Sequence, residues 1–370
     1  MKDNGSYCPL IFNEIYADSS GEYRLCCHAQ STPVSKKYKS QTHKPFDYFL
    51  SKEMEENRNK VLSGEKIPAC TYCYKQEETN PEGESYRQRK IRQYQFSLPT
   101  HVDKVNLKLR INGSYCNLSC YMCIPYNSSS RRNEMNKIYP EGWDFFSSSR
   151  FAPVKFSEYE LIVQDILDNI EKVQKIHITG GEPLQLPNHW KLIERIPAEH
   201  AKNIDLVYDT NLTELRYKNH SVYDIVDKFK HVHFGVSCDH FGKKLEWIRY
   251  PIDVKKFEQN LKDCKDIVSQ LNCTVSILNI HDLIEIERYY YQNFKLKVVF
   301  NNVARGPQFL SICNFDDKIK KQLIKKYSHL IFVVDELKKP SWGLLEQGKE
   351  YCQRLSDHRG FQYKELWPNL

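Results

Sequence analysis

Cysteine is the residue whose type and spacing point to chemistry in this chain. Thirteen occur in 370 residues. Eight of them stand at or before residue 123: Cys8, Cys26, Cys27, Cys70, Cys73, Cys116, Cys120 and Cys123. The total is odd and residues 1–8 carry no apolar signal segment, so a disulfide framework is not expected. Clustered thiols in a reducing compartment point instead to metal or redox chemistry. Cys116-Asn117-Leu118-Ser119-Cys120-Tyr121-Met122-Cys123 is a CxxxCxxC run. Three thiolates at that spacing can hold three corners of a cubane iron–sulfur cluster. No fourth cysteine lies nearby, which leaves one iron open to a substrate or cofactor. Zinc usually takes four ligands in two pairs, and no partner pair stands at zinc-finger spacing. The second motif is Thr179-Gly180-Gly181-Glu182-Pro183. Its two glycines let a ligand approach the backbone, and Glu182 offers a carboxylate to a cationic group. Alone, a tight turn before a helix would explain it.

These motifs need elements to position them. From about residue 105, short β-branched runs recur at 105–111, 175–179, 204–208, 231–237, 273–278 and 296–300, with helical periodicity between most of them. Ser157-Glu158-Tyr159-Glu160 reads as a capping box. Behind it, Leu161, Ile162, Ile166, Leu167, Ile170 and Val173 form an apolar stripe at helix spacing. Strands alternating with helices predict βαβ units, hence an α/β chain with a partial (β/α)6 barrel of TIM type. Chemistry in such barrels sits at the C-terminal ends of the strands. The cysteine run follows the first predicted strand and Gly180–Gly181 the second. Residues 1–100 are loop-rich, broken by Gly21, Pro33, Gly64, Pro68, Pro81 and Gly83, with one or two short helices over 46–62. A region that size with few long apolar elements would gain from a metal staple. From Asp316 the chain is Lys-rich and predicted helical, closing the side or bottom of the barrel. The expected domains are therefore 1–100, 101–315 and 316–370.

Composition excludes other classes. Hydrophobic residues at 40% and charged residues at 27% are ordinary globular values and exclude a disordered chain. No run approaches the roughly 20 apolar residues of a membrane helix. The net charge of +7, from 54 Lys+Arg against 47 Asp+Glu, is spread widely and reads as a solvated surface. The expected localisation is cytoplasmic, with no membrane partner.

Together, the CxxxCxxC and GGEP motifs closely resemble the radical S-adenosylmethionine (radical SAM) superfamily. The resemblance implies that the open iron of a 4Fe–4S cluster on Cys116, Cys120 and Cys123 chelates the amino and carboxylate groups of S-adenosylmethionine. It implies that Gly180, Gly181, Glu182 and Pro183 form the strand edge that holds the amino group. One electron from the reduced cluster then breaks the sulfonium C–S bond and releases a 5′-deoxyadenosyl radical. Tyr208-Asp209-Thr210-Asn211 resembles the family's Thr-Asn turn, which makes Asn211 a cofactor-binding candidate. Ser237-Cys238-Asp239 stands where members commonly carry Ser-x-Asp-Gly. Strand alternation puts Ser237 and Asp239 on one face, which by resemblance reaches the ribose hydroxyls. His240 replaces the usual glycine. Residues 246–251 also look like a family segment, in which Arg249 reads as one half of a structural salt bridge. The backbone at Asn301-Asn302-Val303 is expected near the adenine.

The N-terminal hundred residues resemble a twitch/SPASM-type auxiliary cluster domain. The match rests on Cys8-Pro9, on Gly21 followed by Cys26-Cys27, on Cys70-Thr71-Tyr72-Cys73, and on the tail Glu77-Glu78 and Ser85-Tyr86-Arg87. Many relatives carry this domain after the barrel; here it precedes it. The resemblance implies a second 4Fe–4S cluster on Cys8, Cys26, Cys70 and Cys73, with a four-cysteine zinc site as the alternative. Of the adjacent pair Cys26 and Cys27, alternation points only one inward, and Cys26 fits better. Cys264 and Cys352 read as small buried groups on helices. Cys273 reads as the opening residue of the fifth strand, at the barrel bottom. Cys313 reads as buried or as a hydrogen-atom donor. Residues 139–146 read as a lid or substrate wall, or as interface packing.

The expected function is reductive cleavage of S-adenosylmethionine, followed by hydrogen abstraction from a second substrate, a peptide or a small molecule. Flavodoxin or ferredoxin is the expected electron donor. No catalytic side chain can be named. Alternatives are a nucleotide, nucleic acid or sugar as substrate, and a non-enzymatic iron–sulfur redox sensor. A nucleic-acid partner would need Lys318-Ile319-Lys320-Lys321 at the barrel mouth. GGEP and Ser237-x-Asp239 speak against a sensor, which needs no nucleoside pocket.

Overall fold

The computed structural model describes residues 3–18, 20–79, 81, 83–94, 98–110, 113–146, 156–368 and 370, save the side chains of 156–158 and 301. Its strands are β1 (Glu14–Ala17), β2 (Tyr23–Arg24), β3 (Val105–Leu109), β4 (Val173–Ile178), β5 (Asp205–Thr210), β6 (Arg216–Tyr217), β7 (His220–Ser221), β8 (His231–Ser237), β9 (Val268–Val275) and β10 (Val298–Val303). Eight form one sheet in the order β10-β9-β8-β5-β4-β3-β1-β2, and β6 pairs with β7 separately. β1–β3, β3–β4, β8–β9 and β9–β10 are parallel; β2 runs antiparallel to β1. The protein is thus mixed α/β with a mostly parallel central sheet. The six strands read from the sequence correspond to β3, β4, β5, β8, β9 and β10, the arrangement of a partial barrel. No helix among the described residues is long and apolar enough to cross a membrane.

The chain divides into two compact units. One holds Met1–Gly113, Phe151–Val207 and Tyr223–Val232; the other holds Ser114–Arg150, Tyr208–Val222 and His233–Leu370. In the first, the stretch expected to be loop-rich supplies β1 and β2 and several helices, including Pro45–Phe49 and Lys52–Leu62 where one or two were expected. Ser51 caps the second of these by accepting the Met54 N–H at 3.3 Å. The Phe46 N–H donates to Asp165 at 2.9 Å, which ties Pro45–Phe49 to the helix Phe156–Asp168. In that longer helix Tyr159, Ile162, Val163 and Ile166 are fully buried, but Leu161 is 51% exposed. Leu161 therefore leaves the expected stripe, because at about 100° per residue it falls outside the arc set by 159, 162, 163 and 166. The side chains of the expected capping box at Ser157 and Glu158 lie outside the described residues.

In the second unit, β9 begins five residues before the run 273–278 suggested. Cys273 is therefore near the C-terminal end of its strand and not at its opening. Ser269, Gln270 and Asn272 hid the early part, yet Leu271, Cys273 and Val275 alternate as buried residues at period two. The C-terminal region is helical, as expected, over Asp317–Lys326, Ile331–Leu337, Leu345–Arg359 and Tyr363–Leu366. Ile331–Leu337 lies against the edge strand β10, at the side of the sheet, while Leu345–Arg359 packs on the cysteine loop.

Candidate iron–sulfur and cofactor site

The cysteine loop is held from both sides of its backbone. Ser119 N–H donates to Tyr250 O at 2.6 Å and Tyr121 N–H to Ile248 O at 3.0 Å, so the loop is tied to the end of the helix Gly242–Ile248 and to the residues after it. On the carbonyl side, Arg359 donates to Ser119 O at 2.6 Å, and Tyr351 and Arg131 donate to Tyr121 O at 2.6 and 3.1 Å. Glu134 lies between the two arginines. It accepts from Arg359 at 2.7 and 2.9 Å, from Ser119 Oγ at 2.6 Å, and from Arg131. Burial alone would raise the Glu134 carboxyl, but the Arg359 hydrogen bonds and both guanidinium charges hold it at about 2. Ser128 caps the following helix, accepting from Arg131 N at 3.1 Å while its hydroxyl donates to Leu118 O at 2.9 Å.

Donors converge on the sulfurs. Cys116 Sγ receives Leu118 N–H at 3.5 Å and Asn211 Nδ2 at 3.8 Å. Cys120 Sγ lies 3.7 Å from Arg249 Nη1. Burial raises the Cys120 thiol, against the charges of Arg249, Arg359 and Arg131. Among the described residues, no group of three or more His, Cys, Asp or Glu side chains converges as the ligands of a single metal ion would. A cubane demands no such convergence, because each thiolate binds a different iron, and hydrogen bonds to cluster sulfurs are a usual feature of such sites. The donor set fits a cluster.

At the end of β4, Gly180 has φ +91° and Gly181 φ +56°. A Cβ on Gly180 would come within 2.9 Å of Arg110 Cγ and 3.1 Å of Arg110 O, so this turn requires glycine. Glu182 is buried and accepts the Leu184 N–H at 3.2 Å, capping the short turn Pro183–Gln185. In the other unit, Asn211 braces the cysteine loop: Nδ2 donates to Asn117 at 3.0 Å while Oδ1 accepts Thr213 N–H at 3.0 Å. Ser237 is half-buried at the end of β8. Asp239 is fully buried, accepts Thr274 N–H at 2.8 Å and pairs with Arg249 at 2.7 Å. Arg249 therefore forms the salt bridge expected of it and also reaches Cys120, a contact that sequence reasoning missed. No spacing rule links residues 120, 239 and 249. Burial lowers the Arg249 guanidinium, but Asp239 and Cys120 carry it above its ordinary value. His240 locks its own turn, with Nε2 at 3.0 Å from Asp282 and Nδ1 accepting Phe241 N–H at 2.9 Å.

The N-terminal thiols also gather. Cys8, Cys26 and Cys73 are buried and Cys70 is half-buried. Burial raises Cys8 first, then Cys70 and Cys73; burial raises Cys26, then Cys8, Cys27, Glu14 and Cys70. Cys70 is pushed up to about 12 by burial and by Cys73. Burial raises the Tyr86 hydroxyl, and Cys27 beside it adds to this. Gln30 N–H donates to Ala69 O at 2.9 Å, joining the Cys26 turn to the Cys70 segment. Arg87 binds Tyr7 O at 2.8 Å, Asp3 at 2.6 Å and Glu77 at 2.6 Å, so the tail motif ties the Cys73 helix back to Cys8. Neighbouring thiols, three of them buried and one half-buried, ionise together only if a cation compensates them, which fits a metal group.

Cys264, Cys313 and Cys352 are all buried, and Ser311 Oγ donates to Cys313 at 3.3 Å. Tyr139, Glu141 and Phe145 line a cleft of about 250 Å³ with Phe309, Tyr351 and Arg354.

Residues 113–289 match the family model described as "Radical SAM superfamily". No curated protein sequence matches the chain. Among solved structures, native anSMEcpe with bound AdoMet is similar at 17% identity and a TM-score of 0.40, over 61% of this chain and 59% of that one. Native anSMEcpe with bound AdoMet and Cp18Cys peptide gives 17%, 0.40, 61% and 60%. The structure of TYW1 with a lysine-pyruvate adduct bound gives 13%, 0.31, 58% and 70%. The chain thus spans less than two thirds of the anSMEcpe structures it resembles. Residues 113–289, a little under half of the chain, are thus similar to the radical SAM superfamily.

Proposed function

We propose that this enzyme reductively cleaves S-adenosylmethionine and abstracts a hydrogen atom from a second substrate, a peptide or a small molecule. The observation that carries the reading is the CxxxCxxC loop, pinned at Ser119 and Tyr121 with donors aimed at Cys116 and Cys120, inside the matched region 113–289. When bound, a 4Fe–4S cluster on Cys116, Cys120 and Cys123 supplies the electron that opens the sulfonium and yields the 5′-deoxyadenosyl radical. Gly180, Gly181 and Pro183 shape the strand edge on which Glu182 takes the amino group of the cofactor. Asn211 keeps the cysteine loop in register, and Ser237 with Asp239 serves the ribose. Flavodoxin or ferredoxin supplies the electron, and the enzyme works in the cytoplasm.

The N-terminal region forms an auxiliary-cluster domain of the twitch/SPASM type, with Cys8, Cys26, Cys70 and Cys73 as ligands. The mutual proximity of those four thiols supports this, and the turn of Cys27 toward Tyr86 supports Cys26 as the fourth. An electron relay to or from the substrate radical is the role such a group would fill.

The test is 5′-deoxyadenosine formation by anaerobically reconstituted, dithionite-reduced protein. Cys116→Ala, Cys120→Ala and Cys123→Ala should each abolish it. Wild-type-like formation in any of the three sinks the assignment. Its absence from intact wild type, with the cluster in place, favours a redox sensor.

A further inference from the structure

Within the second unit, β8, β9 and β10 set uncharged polar side chains on one face. The register pairs Gly235 with Gln270 and Ser237 with Asn272 across β8 and β9, and Thr274 with Asn302 across β9 and β10. Paired residues share a face, as do residues two apart on one strand. Ser237, Gln270, Asn272, Thr274 and Asn302 therefore look the same way. The opposite face is core, with Val236, Leu271, Cys273 and Val275 at most 1% exposed. Helices cover the outer, apolar face of barrel strands, so the polar face is the inner one. On it Ser237, Gln270, Asn272 and Thr274 are half-buried. Charge there is sparse. Asp209 of β5 and His233 of β8 stand on this face, and neither is without a partner. Lys297 precedes Val299 by two residues and is exposed at the N-terminal end of β10.

Gly235 lets the amides gather. A Cβ there would lie 2.7 Å from Asn272 Nδ2 and 3.2 Å from Asp209 Oδ1, so the Asn272 amide fills the place of a missing side chain. Gln270 Nε2 donates to Asn272 Oδ1 at 2.7 Å and ties the two amides together. That bond leaves Asn272 Nδ2 as a donor and Gln270 Oε1 as an acceptor, neither with a hydrogen-bond partner among the described residues. An adjacent donor and acceptor select their ligand. A carboxylate would set oxygen against Gln270 Oε1, and an ammonium would set hydrogens against Asn272 Nδ2. A hydroxyl offers a single atom. A planar carboxamide offers its C=O to Asn272 and its N–H to Gln270, satisfying both. Asn272 is also the register partner of Ser237, the residue assigned above to the ribose, so a group held here lies beside the cofactor's sugar.

We propose that Gln270 and Asn272 bind a neutral carboxamide group of the second substrate. The proposal rests on the function above only for calling the ligand a substrate.

The test is a saturation-transfer NMR titration of the reconstituted full-length protein with benzamide, benzamidinium and methyl glucoside. Wild type should bind benzamide saturably in the millimolar range, and more tightly than the other two. Asn272→Leu and Gln270→Leu should each weaken benzamide about three- to tenfold, the usual effect of one lost hydrogen bond. Gly235→Ala removes no polar group, yet should weaken it similarly, because the new methyl takes the place of Asn272 Nδ2. Asn272→Asp keeps the acceptor used by Gln270 and turns the free donor into a second acceptor. It should therefore prefer benzamidinium, which donates at both positions, whereas a merely structural role would leave the preference unchanged. Where Asn272→Asp does not fold, Gln270→Leu and Gly235→Ala carry the test. The inference is overturned if wild type shows no saturable benzamide binding or binds methyl glucoside or benzamidinium more tightly. Unchanged benzamide affinity in Gln270→Leu and Gly235→Ala overturns it too, as does a folded Asn272→Asp that still prefers benzamide. Formation of 5′-deoxyadenosine is followed in the same preparations. Cofactor cleavage without benzamide binding defeats this inference alone, and benzamide binding without cleavage defeats only the parent reading.

Discussion

Glu134→Gln removes one charge from a fully enclosed group without changing its shape. Arg131 and Arg359 have side chains with no solvent exposure, and Glu134 itself is 6% exposed. The variant leaves two buried guanidinium groups facing each other with no carboxylate between them. Breaking a buried ion pair from one side costs about 3–5 kcal/mol. An independent route gives a similar size. The carboxyl moves from 4.5 to about 2, which is worth about 3 kcal/mol at 1.36 kcal/mol per unit. At roughly 2–4 °C per kcal/mol for a unit of this size, Tm should fall by about 6–20 °C. The sign with pH is fixed. The folded value lies below the unfolded one, so the stabilisation is complete above about pH 4.5 and is lost as pH falls toward 2. The gap between wild type and variant should therefore narrow on acidification over that window. The assay is anaerobic thermal unfolding followed by near-UV circular dichroism at several pH values, with the cluster's visible absorbance recorded alongside. Because Arg359 also holds Ser119 O, cluster loss should accompany or precede unfolding in the variant. A Tm within about 1 °C of wild type at neutral pH would refute the reasoning, since it would mean the arginines do not depend on Glu134.

Glu182→Gln should weaken S-adenosylmethionine binding about ten- to hundredfold while the cluster stays intact, read by equilibrium binding and electron paramagnetic resonance. Unchanged affinity would leave Glu182 as the cap of the turn Pro183–Gln185 and nothing more. Reconstituted wild type should hold about eight irons and Cys70→Ala/Cys73→Ala about four, counted by iron analysis. Zinc with only four irons in wild type would defeat the auxiliary cluster but not the barrel assignment. Arg249→Gln removes a buried positive charge beside Cys120, so the cluster's midpoint potential should move to more negative values in a redox titration. An unmoved potential would show that the guanidinium serves Asp239 alone.

The candidate cluster loop was legible in the chain because ligand spacing is a local property. Three cysteines within eight residues lie close together in any compact turn, whatever surrounds them. The glycine pair was legible for a related reason: only glycine tolerates the positive φ of that turn beside Arg110. The alternation of strands and helices was legible because apolar residues recur at periods of two and 3.6. The same periodicity misplaced β9, where polar residues on one face obscured the buried alternation of Leu271, Cys273 and Val275.

What the chain could not reveal was which distant residues would close around these motifs. Tyr351 and Arg359 meet the cysteine loop across 230 and 240 residues of sequence, and no pattern marks them beforehand. Arg249 was visible as an arginine in a recognised segment, but its reach to Cys120 depends on the hydrogen bonds that tie Ser119 to Tyr250 and Tyr121 to Ile248. The four N-terminal thiols come together because Gln30 meets Ala69 and Arg87 meets Tyr7 and Glu77. Lys108 stays off the core only because β3 pairs in parallel and in one register with β1; a shift of one residue would turn it toward the core. Local spacing and backbone stereochemistry act before the chain folds. Charge networks and strand registers arise only from the long-range pairing that folding selects.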